Sequence, residues 1–177
     1  RAAELSYMIG HAEPASAVSI ADRASDLSDA ANYDLPVFGP NDGPLPPATA
    51  PNAAPGEAAM LYTSGTTGNP KGCVLTNAYF TMSGDWYKNA GGLCAITEDG
   101  ERMLTPLPVF HMNAMACSFM AMLTVGGCLI ALDRFHPKTW WASVRDSRAT
   151  CLHYLGVIPS ILMKAPPAPS DTDHAIR

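Results

Sequence analysis

A chain of 177 residues is long enough to bury a core, and 47% hydrophobic against 15% charged residues excludes a disordered polypeptide. Eleven basic residues against sixteen acidic ones leave a net charge of −5, which excludes the cationic footprint that a nucleic-acid partner requires. The richest apolar run, Met112 to Leu132, is broken by Asn113, Ser118, Thr124 and Gly126-Gly127, so no membrane span is predicted.

Arg1 to His11 reads as a helix already under way, with Leu5, Met8 and Ile9 on one face and neither initiator methionine nor cap before it. The end, Ser170 to Arg177, is equally abrupt, and a piece of a larger chain is expected. Pro14 stops the first helix. Ala15 to Ala21 alternates weakly around Val18 and Ile20 as a short strand, and Asp22 to Asn32 reads as a helix; residues 1–34 make an incomplete leading α/β piece. Pro, Gly, Asn and Ala then dominate from Leu35 to Gly56, which reads as a long irregular loop (35–56).

Residues 57–177 read as a further α/β region of the same truncated domain. A strand starts at Glu57, Cys73 to Leu75 is extended, and Thr76-Asn77 offers an N-cap. The helix from Ala78 to about Asn89 draws broad apolar coverage from Tyr79, Phe80, Met82, Trp86 and Tyr87, and Gly91-Gly92 ends it. Glu101 to Thr105 reads as a strand closed by Pro106 and Pro108, and Met112 to Leu123 as a buried helix. Gly126 to Leu132 is a fully apolar strand, of the kind found in a parallel sheet covered on both faces. A helix opening at His136-Pro137-Lys138, a strand at Thr150 to Leu155 and a helix at Pro159 to Lys164 complete the pattern. Strands and helices alternating at these lengths predict an α/β fold with a mainly parallel sheet flanked by helices.

Five cysteines (Cys73, Cys94, Cys117, Cys128, Cys151) form no C-x-x-C pair and no zinc-type spacing. Cys73, Cys117, Cys128 and Cys151 lie among apolar or small residues and read as reduced thiols packing as small hydrophobes, as expected of a cytoplasmic protein. No signal-peptide pattern is present. His11, His136, His153 and His174 gain no role from their spacing, and Asp133 and Asp146 read as lone, solvated or capping carboxylates.

Two stretches carry chemistry. The first, Tyr62-Thr-Ser-Gly-Thr-Thr-Gly-Asn-Pro-Lys-Gly72, follows an apolar strand and packs hydroxyls, glycines and a lysine into eleven residues. Glycines let the main chain approach a ligand closely, consecutive amides make an anion-binding concavity, hydroxyls add short donors, and a lysine adds a mobile point charge. The pattern suits a polyphosphate, yet it is not a Walker A loop, because Pro70 precedes the lysine and Gly72 follows it. The second, Pro106-Leu-Pro-Val-Phe-His-Met-Asn-Ala114, puts the His111 imidazole at the C-terminal end of a strand, where open α/β sheets bind ligands.

The stretch Tyr62 to Gly72 resembles the signature phosphate loop of the adenylate-forming superfamily, which includes acyl-CoA synthetases, peptide-synthetase adenylation domains and luciferases. The second stretch, with Gly126-Gly127, Arg134-Phe135, Trp140-Trp141, Arg148-Ala-Thr and Leu155 to Leu162, is most similar to the branch of medium-size acid and crotonobetaine/carnitine-type CoA ligases. The resemblance implies part of the large N-terminal domain and an ATP-dependent acid–CoA ligase that forms an acyl adenylate and then a thioester with coenzyme A. It implies that Thr63, Ser64, Gly65, Thr66, Thr67, Gly68 and Lys71 hold ATP, with Lys71, Thr66 and His111 taking part in catalysis. It also implies that His111, Met112 and Asn113 line the pocket of a small carboxylic acid, and that Mg²⁺ is carried by the ATP phosphates with Thr66 as a further contact. The family's adenine and ribose motifs, hinge and C-terminal lysine are not found before Arg177, so this piece is expected not to catalyse unaided. An amino-acid-type adenylation domain serving a carrier protein, or a non-catalytic nucleotide-binding module, stand as alternatives. The absence of an aspartate early in the Met-rich helix disfavours the former.

Overall fold

The computed structural model describes residues 2–43, 56–63, 68–92 and 95–177. Its contacts group into two units, Arg1–Val74 and Leu75–Arg177.

The first unit opens with α1 (Ala2–Ala12), on which Ile9 is buried and Leu5 and Met8 are half-buried, the face that the periodicity predicts. The strand predicted over Ala15 to Ala21 contracts to β1 (Ala17–Val18), because a 3-10 turn (Ala21–Arg23) starts there and leads into α2 (Ala24–Ala30). The loop predicted from Leu35 is corrected at its start. Leu35 is buried, and Val37–Phe38 forms β2, parallel to β1 with Ala17 opposite Val37. A β-branched and an aromatic residue fit a pleated surface even in Pro/Gly-rich surroundings. Residues 44–55 of that stretch lie outside the described ones.

Strands β3 (Glu57–Thr63) and β4 (Lys71–Thr76) pair as a two-stranded sheet, and β4 starts two residues earlier than predicted. Gly72 serves this pairing: a Cβ there would lie 2.7 Å from Met60 Sδ and 3.4 Å from the Tyr62 ring. Cys73 is exposed, not packed as a small hydrophobe, so the sequence reading is corrected there.

The second unit holds a three-stranded parallel sheet with order β6-β5-β7, formed by β5 (Arg102–Thr105), β6 (Cys128–Ala131) and β7 (Cys151–Leu152). Successive residues of a strand face opposite sides, and β5 uses both. Met103 packs with Ala121, Met122 and Val125, while Leu104 packs with Trp140, Val144 and Ala149. The apolar strand predicted to be covered on both faces is therefore the edge strand β6, in which Cys128 to Ile130 are half-buried and Ala131 is exposed. The covered centre is β5, despite Arg102 and Thr105.

Helix α3 (Asn77–Asn89) starts where predicted, with Thr76 Oγ1 accepting from the Tyr79 amide at 3.1 Å. Its apolar coverage is not uniform: Met82 and Trp86 are 69% and 68% exposed, and the buried point is Gly84. A Cβ on Gly84 would lie 2.8 Å from the Met120 carbonyl oxygen, so glycine permits the close approach of the following helix. The helix predicted from Met112 to Leu123 is a π-helical turn (Asn113–Phe119) running into α4 (Met120–Val125). It is buried on one side only, since Phe119 and Leu123 are exposed.

Gly126, at φ 66°, closes α4. Helix α5 runs over Trp140–Ser147, later than His136 because residues up to Thr139 form a turn in which the Thr139 amide donates to the His136 carbonyl. Helix α6 (Val157–Leu162) begins and ends two residues earlier than predicted. Asp133 is not lone: it pairs with Arg134 at 3.3 Å and His136 at 3.1 Å.

Candidate functional site

The first motif hangs between two paired strands. Residues 64–70 connect β3 to β4, so the sheet fixes both ends of the connection. Thr63 and Lys71, both exposed, stand at those ends, and Thr63 Oγ1 donates to the Lys71 carbonyl at 3.5 Å. Ser64, Gly65, Thr66 and Thr67 lie outside the described residues, and Gly68 is exposed. Strand β3 is tied to α1 by the Tyr62 hydroxyl, which lies 2.6 Å from His11 Nδ1 and donates to the Met8 carbonyl at 3.3 Å. His11, without a role by spacing, thus braces the strand that enters the loop.

The second motif follows the C-terminal end of β5. Pro106 and Leu107 are buried, and the chain then emerges so that Phe110 and His111 are exposed, their rings 4.7 Å apart. The Thr105 hydroxyl accepts from the Leu107 amide at 3.2 Å, and the His111 amide donates to the Pro108 carbonyl at 2.9 Å. These bonds set the turn that delivers His111, Met112 and Asn113 to the start of the π-turn. Met112 is 39% exposed and Asn113 is half-buried.

A cavity of about 660 Å³ opens in the second unit, and its wall includes Trp86, Tyr87, Met103, Cys151, His153 and Tyr154. Its volume lies within the range of small-molecule sites. Burial, followed by the negative field of Glu101, pushes the Cys151 thiol up to about 12, so Cys151 is an inert wall and not a nucleophile. Burial holds His153 below the usual imidazole range, which keeps it neutral. Its Nε2 lies 3.1 Å from the Tyr87 hydroxyl and its Nδ1 lies 2.5 Å from Ser118 Oγ.

Beside the cavity, Glu101 is 1% exposed and accepts from the Thr97 amide at 2.9 Å, from Thr150 Oγ1, and from Arg177 Nη2 at 2.6 Å. Burial raises its pKa, but the bonds from Thr150, Thr97 and Arg177 outweigh burial and leave it lowered. The polar residues that sequence reasoning missed are Tyr87, Ser118, His153 and Glu101. One signal was present: Ser118 is the one hydroxyl in the run Ala114 to Ala121, and a hydroxyl in a buried run must find a partner. Among the described residues, no three His, Cys, Asp or Glu side chains converge as a metal site. No described helix is long and apolar enough to cross a membrane.

A family model described as AMP-binding enzyme matches residues 1–176. The crotonobetaine/carnitine–CoA ligase of Shigella dysenteriae serotype 1 (strain Sd197) is 32% identical over 120 residues, covering 68% of this chain and 22% of the relative. The chain thus spans about a fifth of the length of that curated relative. The O-succinylbenzoate coenzyme A synthetase of Bacillus subtilis in complex with AMP matches with a TM-score of 0.75 at 19% identity, over 100% of this chain and 36% of that one. The inhibitor-bound N-terminal domain of FACL13 from Mycobacterium tuberculosis matches with a TM-score of 0.69 at 22% identity, over 96% and 46%. The architecture is that of part of such an N-terminal domain.

Proposed function

Because this chain belongs to the AMP-binding enzyme family, we propose that it is the nucleotide-gripping part of an ATP-dependent acid–CoA ligase. The observation that carries this reading is the loop between β3 and β4: a run of hydroxyls and glycines held at both ends by one sheet, with Thr63 and Lys71 exposed at its roots. In the reaction, a carboxylate oxygen of the acid attacks the α-phosphorus of ATP. The bond from that phosphorus to the bridging oxygen breaks, and pyrophosphate leaves with the electron pair. The sulfur of coenzyme A then adds to the acyl carbon, its proton passes to solvent, and AMP departs to leave the thioester.

Negative charge gathers on the tail phosphates as pyrophosphate leaves. Donors already aimed at those oxygens lower the barrier because they need no reorganisation at that moment. Thr63, Ser64, Gly65, Thr66, Thr67, Gly68 and Lys71 are assigned this role. The described residues offer no cage of protein ligands for a metal. Mg²⁺ is assigned to the phosphates themselves, with Thr66 as a further contact, as suits an ion that keeps most of its own shell. His111, Met112 and Asn113 are assigned to the acid.

The test is ATP–pyrophosphate exchange by the full-length protein against a panel of acids, followed by thioester formation with coenzyme A. Lys71→Ala is expected to slow exchange by about a hundredfold, as loss of one charge-stabilising donor does elsewhere, with the circular-dichroism spectrum unchanged. An unaltered exchange rate in Lys71→Ala, or exchange with amino acids alone, refutes the reading.

A further inference from the structure

Ser118 is fully buried in the π-turn, and its hydroxyl donates to the carbonyl of Asn113 at 3.4 Å. That carbonyl lies five residues back, the spacing of a π-helical register. On its other side Ser118 Oγ meets His153 Nδ1, and His153 Nε2 meets the Tyr87 hydroxyl, with the Tyr87 and His153 rings 5.4 Å apart. One assignment of protons satisfies these three bonds when the imidazole is neutral. Tyr87 donates to Nε2, Nδ1–H donates to Ser118, and Ser118 donates to the Asn113 carbonyl. The relay crosses from α3, through the residue that follows β7, to the π-turn and ends on a backbone oxygen of a residue assigned to the acid.

We propose that His153 is a positioning residue for acid activation: held by Tyr87 and Ser118, it keeps the Asn113–Phe119 turn in π register and so sets the direction in which His111 and Asn113 face the acid. This rests on the function proposed above. Its leverage comes from helix geometry. Relaxing the turn to α register adds about one residue's worth of winding, which rotates everything before it by about 100° relative to α4. Asn113 and His111 precede or open the turn, and both would swing. The ring nitrogens of His153 are both committed to this relay, so its task is to hold the turn and not to touch the reacting atoms.

The experiment compares the full-length protein with Ser118→Ala, His153→Phe, the double variant and His153→Asn, which keeps a donor close to Nδ1. In acid-dependent ATP–pyrophosphate exchange, each single variant is expected to raise KM for the acid about tenfold, the equivalent of one buried hydrogen bond. KM for ATP should stay within about twofold, the double variant should be no worse than the worse single, and His153→Asn should recover most of the loss. Multiplying effects, equal rises in both KM values, or unchanged kinetics overturn the proposal. Amide hydrogen exchange reads the geometry without activity: Met115 to Phe119 should exchange about tenfold faster in Ser118→Ala and His153→Asn should restore it, while α5 stays unchanged. Unaltered protection of the turn overturns the proposal even where exchange activity is intact. A wild-type protein that activates no acid sinks the parent reading instead. If His153→Phe fails to fold, Ser118→Ala and His153→Asn carry both measurements.

Discussion

Glu101→Gln isolates the charge of the most deeply held carboxylate in the second unit. The side chain is 1% exposed, and three neighbours, Thr97, Thr150 and Arg177, all donate to it. Glutamine keeps the shape but turns one acceptor into a donor that faces other donors. Breaking a buried charged partner costs about 3–5 kcal/mol. Arg177 is 53% exposed, so its share is screened by solvent, and one oxygen survives in glutamine; the expected loss is therefore about 3 kcal/mol at pH 7. The pH dependence separates charge from shape. The folded-state pKa lies below the usual glutamate value of about 4.3. The unfolded chain thus binds the proton more readily, and the carboxylate's contribution is full above that unfolded value and disappears as pH falls through the folded one. Urea unfolding followed by circular dichroism at steps from pH 7 to pH 3 should show the gap between wild type and variant narrow only below about pH 4.3. A gap that is constant across the range would mean that Glu101 contributes by packing alone, and the reasoning would fail.

Two further outcomes follow from close contacts and from thiol chemistry. Gly84→Ala should lower stability by about 2 kcal/mol, since its Cβ would press on a backbone oxygen of α4. Gly10→Ala, with nothing within 4 Å of the added methyl and a place in α1, should instead be neutral or gain up to about 1 kcal/mol; urea midpoints of the two variants check the contrast. At pH 8 a thiol pushed up to about 12 is ionised in about one molecule in ten thousand. Brief treatment with iodoacetamide should therefore label exposed Cys73 and leave Cys151 unmodified in the native protein, as peptide mass spectrometry would show.

The order of strands and helices was legible because hydrophobic period and breakers act locally. Pro14 and Thr76 stop or start elements wherever they stand in a chain. What was illegible depends on partners distant in sequence. Strand β2 is two residues long and exists only because Ala17 and Ser19 supply amides to Pro36 and Phe38. The central strand was misjudged for a related reason. By hydrophobicity β6 outranks β5, but Arg102 hands its guanidinium to the Ser147 carbonyl and Thr105 turns its hydroxyl to the Leu107 amide. Polar residues whose side chains find backbone partners can occupy the middle of a sheet while still looking like surface.

The candidate site divides along the same line. The proposed phosphate-binding stretch is legible from consecutive residues, because its hydroxyls, glycines and lysine lie side by side in the chain, and Thr63 and Lys71 end and begin the two strands that flank it. The relay at His153 belongs to three segments that only folding brings together. Spacing treats Tyr87, Ser118 and His153 as unrelated: an aromatic on a helix, a hydroxyl in an apolar run, an imidazole after a short strand. Yet an isolated hydroxyl in a buried helix is itself a demand for a partner, and a histidine just past a neighbouring strand is among the few side chains that can both accept and donate to meet it. A polar residue in an apolar run therefore calls for a search for its complement elsewhere in the chain, and here that search leads from Ser118 to His153 and on to the turn that carries Asn113.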